Sequence, residues 1–280
     1  MPARISDLHR TAFVTGASTG LGRAFAEMLM HEGVRVWGTA RDASRLAHFL
    51  PEVAGAKTPL FSPVVLDLRD GARAEAVFRD AERAAGGFDL VINNAGYGVF
   101  GDFVGADFSV WEEQLEVMLV NTARLSRAAL GGMLNRKRGA LVNVSSLAAE
   151  FPLPFQSAYN MAKAGLTALS ESLMIELKGT GVVILDVRPG DYRTDFEGSV
   201  RQVSAEPNPR MVRAWRAFEA MMRTGPAPAH AAAALRRALL RNRSATVRTG
   251  RFFQAVLAPL LARLGSLPLR RRIQAGYYDV

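Results

Sequence analysis

Cysteine is absent from the chain of 280 residues, and this absence excludes several classes of site. Without thiols there is no disulfide framework, no thiolate metal site and no cysteine nucleophile. The lack of cysteine also fits a reducing compartment, so we expect a cytoplasmic protein. No run of about 18 apolar residues is free of charges and prolines, so no membrane-spanning helix is predicted. The first ten residues also lack an apolar run of signal-peptide length.

Lysine and acidic residues are scarce in the carboxy-terminal part of the chain. Residues 201–280 hold 15 arginines, no lysine and three acidic residues, whereas the first 200 residues hold 20 basic and 23 acidic residues. A basic segment of this kind could meet nucleic acid, an anionic membrane surface or an acidic carrier, or it could be an ordinary solvated surface. No recognised nucleic-acid-binding motif accompanies the charge, so we do not expect nucleic acid as a partner.

Short β-rich runs alternate with longer helical patterns. The runs cover residues 12–15, 34–37, 63–66, 88–92, 140–144, 182–187 and 245–248. Strands that are apolar on both faces and alternate with helices form a parallel sheet that is covered on each side. The sequence therefore predicts an α/β fold with a doubly wound parallel sheet in one domain, residues 1–250. Within it, residues 191–228 form a long loop with one amphipathic helix, and residues 231–240 form a further helix. Residues 251–280 follow as a basic, amphipathic helical extension, called the tail below.

Three glycines, Gly16, Gly20 and Gly22, follow the first predicted strand. Glycine permits a tight strand-to-helix turn and lets the backbone approach a pyrophosphate at the positive end of the next helix. In a doubly wound sheet, the first such turn is where dinucleotides bind. We therefore predict a dinucleotide-binding loop here, with simple turn chemistry as the alternative.

The second predicted strand is followed by Ala40, Arg41 and Asp42. Enzymes that prefer NAD usually place a carboxylate at this point, where it binds the ribose 2′-hydroxyl. We align Ala40 with that position, and the guanidinium of Arg41 can instead pair with a 2′-phosphate. The sequence therefore favours NADP(H), unless Arg41 is merely a surface arginine. We expect Asp42 to cap the next helix or to face water.

Tyr159 and Lys163 are spaced so that both lie on one face of a predicted helix. A free tyrosine has a pKa of about 10 and is a poor proton shuttle at neutral pH. A positive charge at about 4 Å, with an effective dielectric constant of about 20, is worth up to about 4 kcal/mol, or roughly three pKa units. We therefore predict that Lys163 lowers the pKa of Tyr159, although the spacing alone also suits an ordinary helical surface pair.

Ser146 follows the predicted strand 140–144, at the edge of a parallel sheet where ligands bind. Its hydroxyl could donate a hydrogen bond to a substrate carbonyl, and Ser145 is the competing candidate. Asn121 is a polar residue within an otherwise regular helical pattern. It could hold a water, kink the helix locally or be a satisfied buried amide.

Together these motifs resemble the short-chain dehydrogenase/reductase family, whose members have a Rossmann fold. The resemblance is carried, in the family's order and spacing, by Thr15-Gly16-Ala17-Ser18-Thr19-Gly20-Leu21-Gly22, Asp67, Asn93-Asn94-Ala95-Gly96, Asn121, Ser146, Tyr159 with Lys163, and Pro189-Gly190. It implies NADP(H) as the cofactor and a homodimer or homotetramer formed through the helices that contain Asn121 and Tyr159.

The resemblance also implies roles for the individual residues. Tyr159 would be the general acid in reduction and the base in oxidation, Lys163 would hold the nicotinamide ribose, and Ser146 would orient the carbonyl. Asn121 would anchor a water in a proton relay. The cofactor would contact Gly16, Ser18, Thr19, Gly20, Leu21, Gly22, Arg41, Asp67, Leu68, Asn93, Ala95, Gly96, Tyr159, Lys163, Pro189, Gly190, Tyr192 and Thr194. Tyr192 departs from the family, which has a small branched residue there, and we expect it to affect carboxamide geometry and substrate access.

The expected activity is an NADP(H)-dependent oxidoreductase that transfers a hydride between nicotinamide and a carbonyl or secondary alcohol carbon. Apolar residues in the 191–228 loop predict an apolar pocket and a small lipid-, steroid- or polyketide-like ketone. These residues are Trp215, Phe218, Met221 and Met222. The alternatives are a cofactor-binding redox sensor or scaffold without turnover, and an epimerase or dehydratase with the same fold.

The tail combines apolar residues with flanking arginines. The apolar residues are Phe252, Phe253, Val256, Leu257, Leu260, Leu261 and Leu264. Such a segment could lie on an anionic membrane surface as a peripheral contact. It could instead pack over the substrate loop or against a neighbouring subunit.

Overall fold

A seven-stranded parallel sheet forms the centre of the protein in a computed structural model that describes residues 4–49, 60–204, 206 and 208–280. The strand order is β3-β2-β1-β4-β6-β7-β9, and β5 pairs with β8 in a separate two-stranded sheet. The strands are β1 Thr11–Val14, β2 Arg35–Ala40, β3 Phe61–Val65, β4 Leu90–Asn93, β5 Val99–Phe100, β6 Gly139–Val144, β7 Val182–Pro189, β8 Arg201–Gln202 and β9 Ala245–Thr249. The order reverses between β1 and β4, which confirms the predicted doubly wound α/β fold.

Helices cover both faces of the central sheet. They are α1 Ile5–Leu8, α2 Gly20–His31, α3 Gly71–Ala85, α4 Phe108–Leu115, α5 Asn121–Arg136, α6 Ser157–Glu176, α7 Pro209–Arg223, α8 Pro228–Leu240, α9 Ala258–Leu264 and α10 Leu267–Tyr277. A π-helical segment, Glu116–Val120, joins α4 to α5, and another, Phe253–Leu257, precedes α9. Short 3₁₀ turns cover Ala43–Phe49, Leu147–Ala149 and Glu197–Ser199. Among the described residues, no helix is both long and apolar enough to span a bilayer.

The two hydrophobic layers follow from the alternation of side chains along each strand. In β1, Val14 packs in a core with Leu29 of α2 and Leu235 of α8. The intervening Phe13 faces the opposite layer, where it contacts the ring of Phe78 in α3 with centroids 5.0 Å apart. Because both faces of the central strands β1, β4, β6 and β7 are buried, these strands are continuous apolar runs in the sequence, whereas the edge strands β3 and β9 are partly exposed.

All seven predicted strands are present, with ends that differ by a few residues. The predicted loop 191–228 contains a 3₁₀ turn, the short strand β8 and the helix α7. Asn208 caps α7 by accepting a hydrogen bond from the backbone N–H of Met211 at 3.0 Å, and Pro209 takes the first helical position. Helix α8 begins at Pro228, three residues before the predicted start, since proline is well accepted in a first turn.

A chain of buried side-chain hydrogen bonds crosses the sheet from α5 to α6. Asn93 of β4 donates to the hydroxyl of Ser126 in α5 and to the amide oxygen of Asn143 in β6, both at 2.9 Å. Asn143 in turn donates to Ser170 of α6 at 3.0 Å. Ser126 and Ser170 each donate to a carbonyl of their own helix, which closes the chain at both ends. Because buried polar groups cost free energy unless they are paired, these contacts define how the two helices sit on the sheet.

Candidate active site

A cavity of about 1300 Å³ opens at the carboxyl ends of the parallel strands, where the strand order reverses. One half is lined by the loops that follow β1, β2, β3 and β4, and we call it the glycine-loop half. The other half is lined by the turn after β6, residues 191–222 and the tail, and we call it the tail half. Helix α6 lies between the two halves and contributes Tyr159 and Lys163.

Most of the predicted site residues border this cavity. They are Gly16, Ser18, Thr19, Gly20, Leu21, Arg41, Asp67, Leu68, Ala95, Gly96, Ser146, Tyr159, Lys163, Pro189, Gly190, Tyr192 and Thr194. Three predicted residues, Gly22, Asn93 and Asn121, do not border it. Gly22 lies beneath the loop, and the other two are buried in hydrogen-bond networks, as described below.

The glycine loop depends on backbone shapes and close contacts that only glycine allows. Gly16 and Gly20 have left-handed backbones, with φ of +65° and +56°. A Cβ atom on Gly22 would lie 2.2 Å from the carbonyl oxygen of Gly16 and 2.4 Å from Nδ2 of Asn94. Helix α2 begins at Gly20 with no side-chain cap, so its positive end faces the cavity without a protein anion. The predicted turn geometry is thus present.

Asn94 holds the loop after β4 against the glycine loop. Its side-chain Nδ2 donates to the carbonyl oxygens of Thr15 at 3.1 Å and Gly16 at 3.3 Å. The hydroxyl of Thr15 accepts the backbone N–H groups of Asn94 and Ala95 at 2.9 and 3.0 Å. Asn94 belongs to the motif Asn93-Asn94-Ala95-Gly96, in which the cofactor contact was predicted for Asn93. The structure corrects that choice, because Asn93 points into the buried chain between α5 and α6.

Arginines surround the end of the glycine-loop half that lies beyond β2. Arg41 is exposed and borders the cavity together with Arg45 and Arg69. Arg69 forms an ion pair with Asp67, with Nη2 and Oδ2 2.5 Å apart, and this contact lowers the pKa of the Asp67 carboxyl. Sequence reasoning missed Arg45 and Arg69. The position of Arg45, four residues after Arg41, could have suggested it.

Asp42 takes the capping position that was predicted for it. It is exposed, and its carboxylate accepts the backbone N–H of Ser44 at 2.9 Å, at the start of the 3₁₀ turn Ala43–Phe49. That hydrogen bond lowers the pKa of Asp42. The carboxylate is thus bound to its own turn and does not border the cavity.

Tyr159 and Lys163 are both buried on the cavity side of α6. The ammonium nitrogen of Lys163 lies 5.6 Å from the centre of the Tyr159 ring and donates to the carbonyl of Val144 at 2.7 Å. Ser146 starts the turn after β6, and its hydroxyl accepts the backbone N–H of Ala148 at 3.0 Å. The strand end and the helix thus bring a hydroxyl, a phenol and an ammonium to one wall of the cavity.

Burial controls the acidity of this group of side chains. It raises the pKa of Tyr159 to about 12, against a smaller lowering from the hydrogen bond with Ser146. Burial also lowers the pKa of Lys163 to about 8. The expectation that Lys163 lowers the pKa of Tyr159 is therefore not met in this arrangement. The reason is that desolvation penalises the phenolate more than its neighbours stabilise it.

Ser145 and Ser146 both border the cavity, whereas Asn121 does not. The hydroxyl of Ser145 is engaged with the buried carboxylate of Asp186 and the carbonyl of Val187, so Ser146 stays the better candidate to contact a ligand. Asn121 follows the π-helical segment Glu116–Val120, which is the local helix distortion that the sequence suggested. Its Nδ2 donates to the carbonyl of Leu68 at 2.8 Å, so it supports the loop after β3.

Tyr192 borders the cavity, but its side chain is anchored in the core. Only 2% of the residue is exposed, and its hydroxyl is hydrogen-bonded to Nδ1 of His230 at 2.8 Å and to the hydroxyl of Thr249 at 2.6 Å. The ring packs between β9 and α8 while the residue borders the cavity, so the expectation that Tyr192 affects substrate access stays a prediction. Thr194 lies across from the glycine loop, with its Cβ 3.5 Å from the position of a Cβ on Gly20.

The tail half is largely apolar. The ring of Phe196 packs on Tyr159 with centroids 5.9 Å apart, and Phe218 and Met222 of α7 are buried at the cavity wall. Of the other residues predicted for an apolar pocket, Trp215 instead packs on Phe100, and Met221 does not border the cavity. The tail supplies Phe253, Gln254, Ala258, Leu261, Ala262, Gly265, Leu269, Arg270, Ile273, Gln274, Tyr277 and Tyr278. The tail thus folds back onto residues 191–224, through contacts such as Gln254 to Asp191 and Arg251 to Thr224, which is one of the arrangements that the sequence left open.

The carboxylate of Asp191 lies among these apolar groups, and the exposed Asp195 also borders the cavity. Gln254 of the tail donates through Nε2 to the Asp191 carboxylate and to the hydroxyl of Tyr277, the latter at 3.0 Å. Burial raises the pKa of Asp191. Sequence reasoning missed Asp191 and Gln254 because they are 63 residues apart and meet only when the tail folds back.

Comparison with known proteins agrees with this geometry. A family model described as short chain dehydrogenase matches residues 10–205. The chain belongs to the short-chain dehydrogenase family. This short-chain dehydrogenase is 37% identical over 191 residues to an uncharacterized oxidoreductase of Myxococcus xanthus, covering 67% of this chain and 74% of the other. It is 34% identical over 189 residues to a short chain dehydrogenase of Pseudocercospora fijiensis, and the match spans 67% of this chain and 61% of that longer protein.

Solved structures extend the similarity into the tail region. A short-chain dehydrogenase from Streptomyces avermitilis has a TM-score of 0.79 and 31% identity, and the match covers 95% of this chain and 97% of the other. A Burkholderia phymatum short chain dehydrogenase/reductase in complex with NAD has a TM-score of 0.79 and 25% identity over 92% of both chains. A metagenomic short-chain oxidoreductase in complex with NADP has a TM-score of 0.61 and 34% identity, covering 64% of this chain and 81% of the other.

Proposed function

We propose that this short-chain dehydrogenase is an NADP(H)-dependent oxidoreductase that interconverts a carbonyl and a secondary alcohol on a small apolar substrate. The observation that carries the proposal is the placing of Ser146, Tyr159 and Lys163 on one cavity wall, next to a glycine loop. A nicotinamide bound there would supply or accept the hydride. The protein would provide the binding site, the orientation and the proton.

The glycine-loop half fits a dinucleotide. The left-handed Gly16 and Gly20 and the uncapped start of α2 leave backbone N–H groups available for a pyrophosphate. The close contact of Gly22 with Gly16 leaves no room for a side chain under that loop. Ser18, Thr19 and Leu21 would contact the phosphates, and Asp67, Leu68, Ala95 and Gly96 would line the adenosine side.

Arg41 supports NADP(H) over NAD(H). Its guanidinium borders the cavity, and the described residues place no carboxylate within ion-pair distance of it. A guanidinium can bind a 2′-phosphate through two parallel hydrogen bonds, whereas a carboxylate at this position would repel it. Since similar structures hold either NAD or NADP, this residue is the argument for the preference.

Tyr159 would hold the proton that the substrate oxygen receives. A pKa of about 12 keeps the phenol protonated at neutral pH, which suits proton donation during carbonyl reduction. Ser146, hydrogen-bonded to the phenol, would orient the carbonyl oxygen, and Lys163 would bind the ribose hydroxyls. We assign Asn121 a supporting role, since it holds the carbonyl of Leu68.

The tail half favours an apolar substrate. Most of its wall is aromatic and aliphatic side chains, with Phe196 directly against Tyr159. A lipid-, steroid- or polyketide-like ketone would bury its carbon skeleton against these side chains.

We also propose that the protein forms a homodimer or homotetramer through α4, α5 and α6. Val120, Met161 and Ile175 are large apolar side chains that stay exposed on or between these helices. A second copy would bury them. The cytoplasmic location stays a prediction.

The test is an assay of NADPH oxidation with a panel of apolar ketones, in which the decrease in NADPH absorbance is monitored. We expect turnover in the wild type and a loss of about 10²–10⁴-fold in Tyr159→Phe, with NADPH binding unchanged. Tyr97→Phe is the matched control, because Tyr97 also borders the cavity but lies in the glycine-loop half. Full turnover by Tyr159→Phe would contradict the assignment.

The same experiment separates the two alternatives. Tight NADPH binding without turnover on any ketone would favour a redox-sensing or scaffolding protein. An altered product with the cofactor recovered unchanged would favour an epimerase or a dehydratase.

A further inference from the structure

We infer that the outer face of the tail is a docking surface for an anionic lipid bilayer. The tail's inner face lines the cavity, so its outer face is what remains for a partner. Three observations carry the inference: the exposed apolar side chains of the tail, the polar contacts that fix its inner face, and its charge.

Exposed apolar side chains are concentrated in the tail. Of the 18 large apolar side chains that are exposed in the described residues, ten lie in this short segment. They are Phe252, Phe253, Val256, Leu257, Leu260, Leu261, Leu267, Leu269, Ile273 and Tyr277. Single exposed apolar residues are ordinary, but a contiguous segment of them marks an interaction surface.

The tail is held in place by polar contacts on its inner face. Gln254 donates to Asp191, Gln274 donates to the carbonyl of Pro152, and Arg270 donates to the carbonyl of Glu150 at 3.3 Å. Tyr278 is buried against the body with 7% exposed. Because these contacts fix the orientation of the tail, the apolar side chains on its outer face are presented to solvent by a folded segment.

The charge of the tail decides which partner fits. Arg251, Arg271 and Arg272 are exposed, and the single acidic side chain, Asp279, pairs with Arg213 of α7 at 3.6 Å. Apolar side chains interleaved with arginines match an anionic bilayer, which buries the former and attracts the latter. A two-fold contact with a second copy would place this arginine-rich patch against itself, and like charges would then oppose each other.

The docking surface also surrounds the mouth of the cavity. Five of the ten exposed side chains also border the cavity, namely Phe253, Leu261, Leu269, Ile273 and Tyr277, and the other five do not border it. An apolar substrate dissolved in the bilayer would therefore reach the tail half without crossing water. This last clause rests on the proposed function, whereas docking itself does not.

The test is sedimentation of the full-length protein with vesicles. One set consists of phosphatidylcholine alone, and the other contains one third phosphatidylglycerol. We expect pelleting with the anionic vesicles, little with the neutral ones, and a decrease on adding salt. Leu260→Ser with Leu267→Ser, which leaves the cavity lining intact, should lower the partition coefficient about tenfold or more. Arg271→Gln with Arg272→Gln should lower it by about the same factor.

Matched controls change the same chemistry elsewhere. Val104→Ser with Leu8→Ser removes two apolar side chains that are 89% and 38% exposed and lie outside the tail, the cavity lining and the proposed subunit interface. Arg241→Gln with Arg243→Gln removes two exposed charges just before β9, at the sheet edge opposite the cavity. Both controls should pellet like the wild type, and every variant should keep the thermal midpoint and the NADPH affinity of the wild type.

Several results would overturn the inference. These are no pelleting with anionic vesicles, equal pelleting with both vesicle types, and tail variants that pellet like the wild type. A fall in molecular mass of the tail variants in analytical ultracentrifugation, with pelleting unchanged, would instead identify a second copy as the occupant. Failure of the ketone assay would leave these outcomes intact, because vesicle binding needs no turnover.

Discussion

In the glycine-loop half of the cavity the walls are backbone turns, whereas in the tail half they are side chains from segments far apart in the sequence. The first half is fixed by short hydrogen bonds at the strand ends, such as those between Asn94 and the carbonyls of Thr15 and Gly16. The second is fixed by single side-chain contacts, such as that between Gln254 and Asp191. The shape of the glycine-loop half thus depends on the sheet itself, whereas the shape of the tail half depends on how the tail packs against the rest of the domain.

This difference predicts how each half tolerates change. Backbone walls leave no space for new atoms, because the interior is closely packed and the turns need particular backbone angles. Side-chain walls can be altered one contact at a time, each worth about 1 kcal/mol. Substitutions should therefore abolish function in the glycine-loop half and tune it in the tail half.

The largest effect is expected for Gly22→Ala. The new Cβ would lie 2.2 Å from the carbonyl oxygen of Gly16, so the loop must move away from the position that faces the dinucleotide. We expect NADPH affinity to fall by more than about 100-fold in a fluorescence titration, with a lower thermal midpoint.

The control for this prediction is Gly131→Ala. Gly131 lies within α5, and apart from its own stretch of helix no atom of the described residues lies within 4 Å of the position of its Cβ. Alanine is the better helix former by up to about 1 kcal/mol, so this variant should be at least as stable as the wild type. Normal NADPH binding by Gly22→Ala would show that the loop is not the rigid element described here.

The next effect concerns the phenol between the two halves. Burial raises the pKa of Tyr159 from 10.0 to about 12, so the acid ionisation constant of the phenol is about 100-fold smaller and phenolate forms only at higher pH. At pH 10, where an ordinary tyrosine is half ionised, the absorbance difference between wild type and Tyr159→Phe should show no phenolate. A phenolate signal at or below that pH would mean that Lys163 outweighs burial after all.

A moderate effect is expected for Arg41→Ala. Loss of a charge-assisted contact to a 2′-phosphate should weaken NADPH binding about 30-fold and leave NADH binding unchanged, as measured by calorimetry. Arg23→Ala is the control, since Arg23 is exposed on α2 and pairs with Glu27 at 2.7 Å. An equal loss for both nucleotides would remove the argument for NADP(H).

The smallest effect is expected for Gln254→Ala in the tail half. Removing the contact to Asp191 should raise KM for an apolar ketone about fivefold, while NADPH affinity and the thermal midpoint stay close to wild type. Gln202→Ala serves as the control because Gln202 is exposed on β8. A loss of NADPH affinity as large as that of Gly22→Ala would erase the distinction between the two halves.

The same distinction explains what the sequence could predict. The seven strands and the glycine loop follow from local patterns, since apolar runs and glycine spacing act over a few residues. Ser146 was preferred over Ser145 from the sequence, but the physical reason needed the structure, because Ser145, the first residue after β6, is held by Asp186 of β7.

Contacts between distant segments were beyond the reach of local patterns. The role of Asn93 was misjudged because its partners, Ser126 and Asn143, come from other elements. The raised pKa of Tyr159 likewise depends on burial by several segments together. For the same reason local patterns could not show that Tyr192, which borders the cavity, is anchored by His230 and Thr249.

The buried chain that joins Ser126, Asn93, Asn143 and Ser170 has a consequence for how the protein can change over time. Replacing one member by an apolar residue leaves the neighbouring donor or acceptor buried without a hydrogen-bond partner, which lowers the free energy of unfolding by about 1–3 kcal/mol. Replacing all four at once could be nearly neutral for stability. We therefore expect these four positions to be substituted together during evolution or to stay unchanged. Because Ser170 lies on α6, the same constraint also fixes the position of the helix that carries Tyr159.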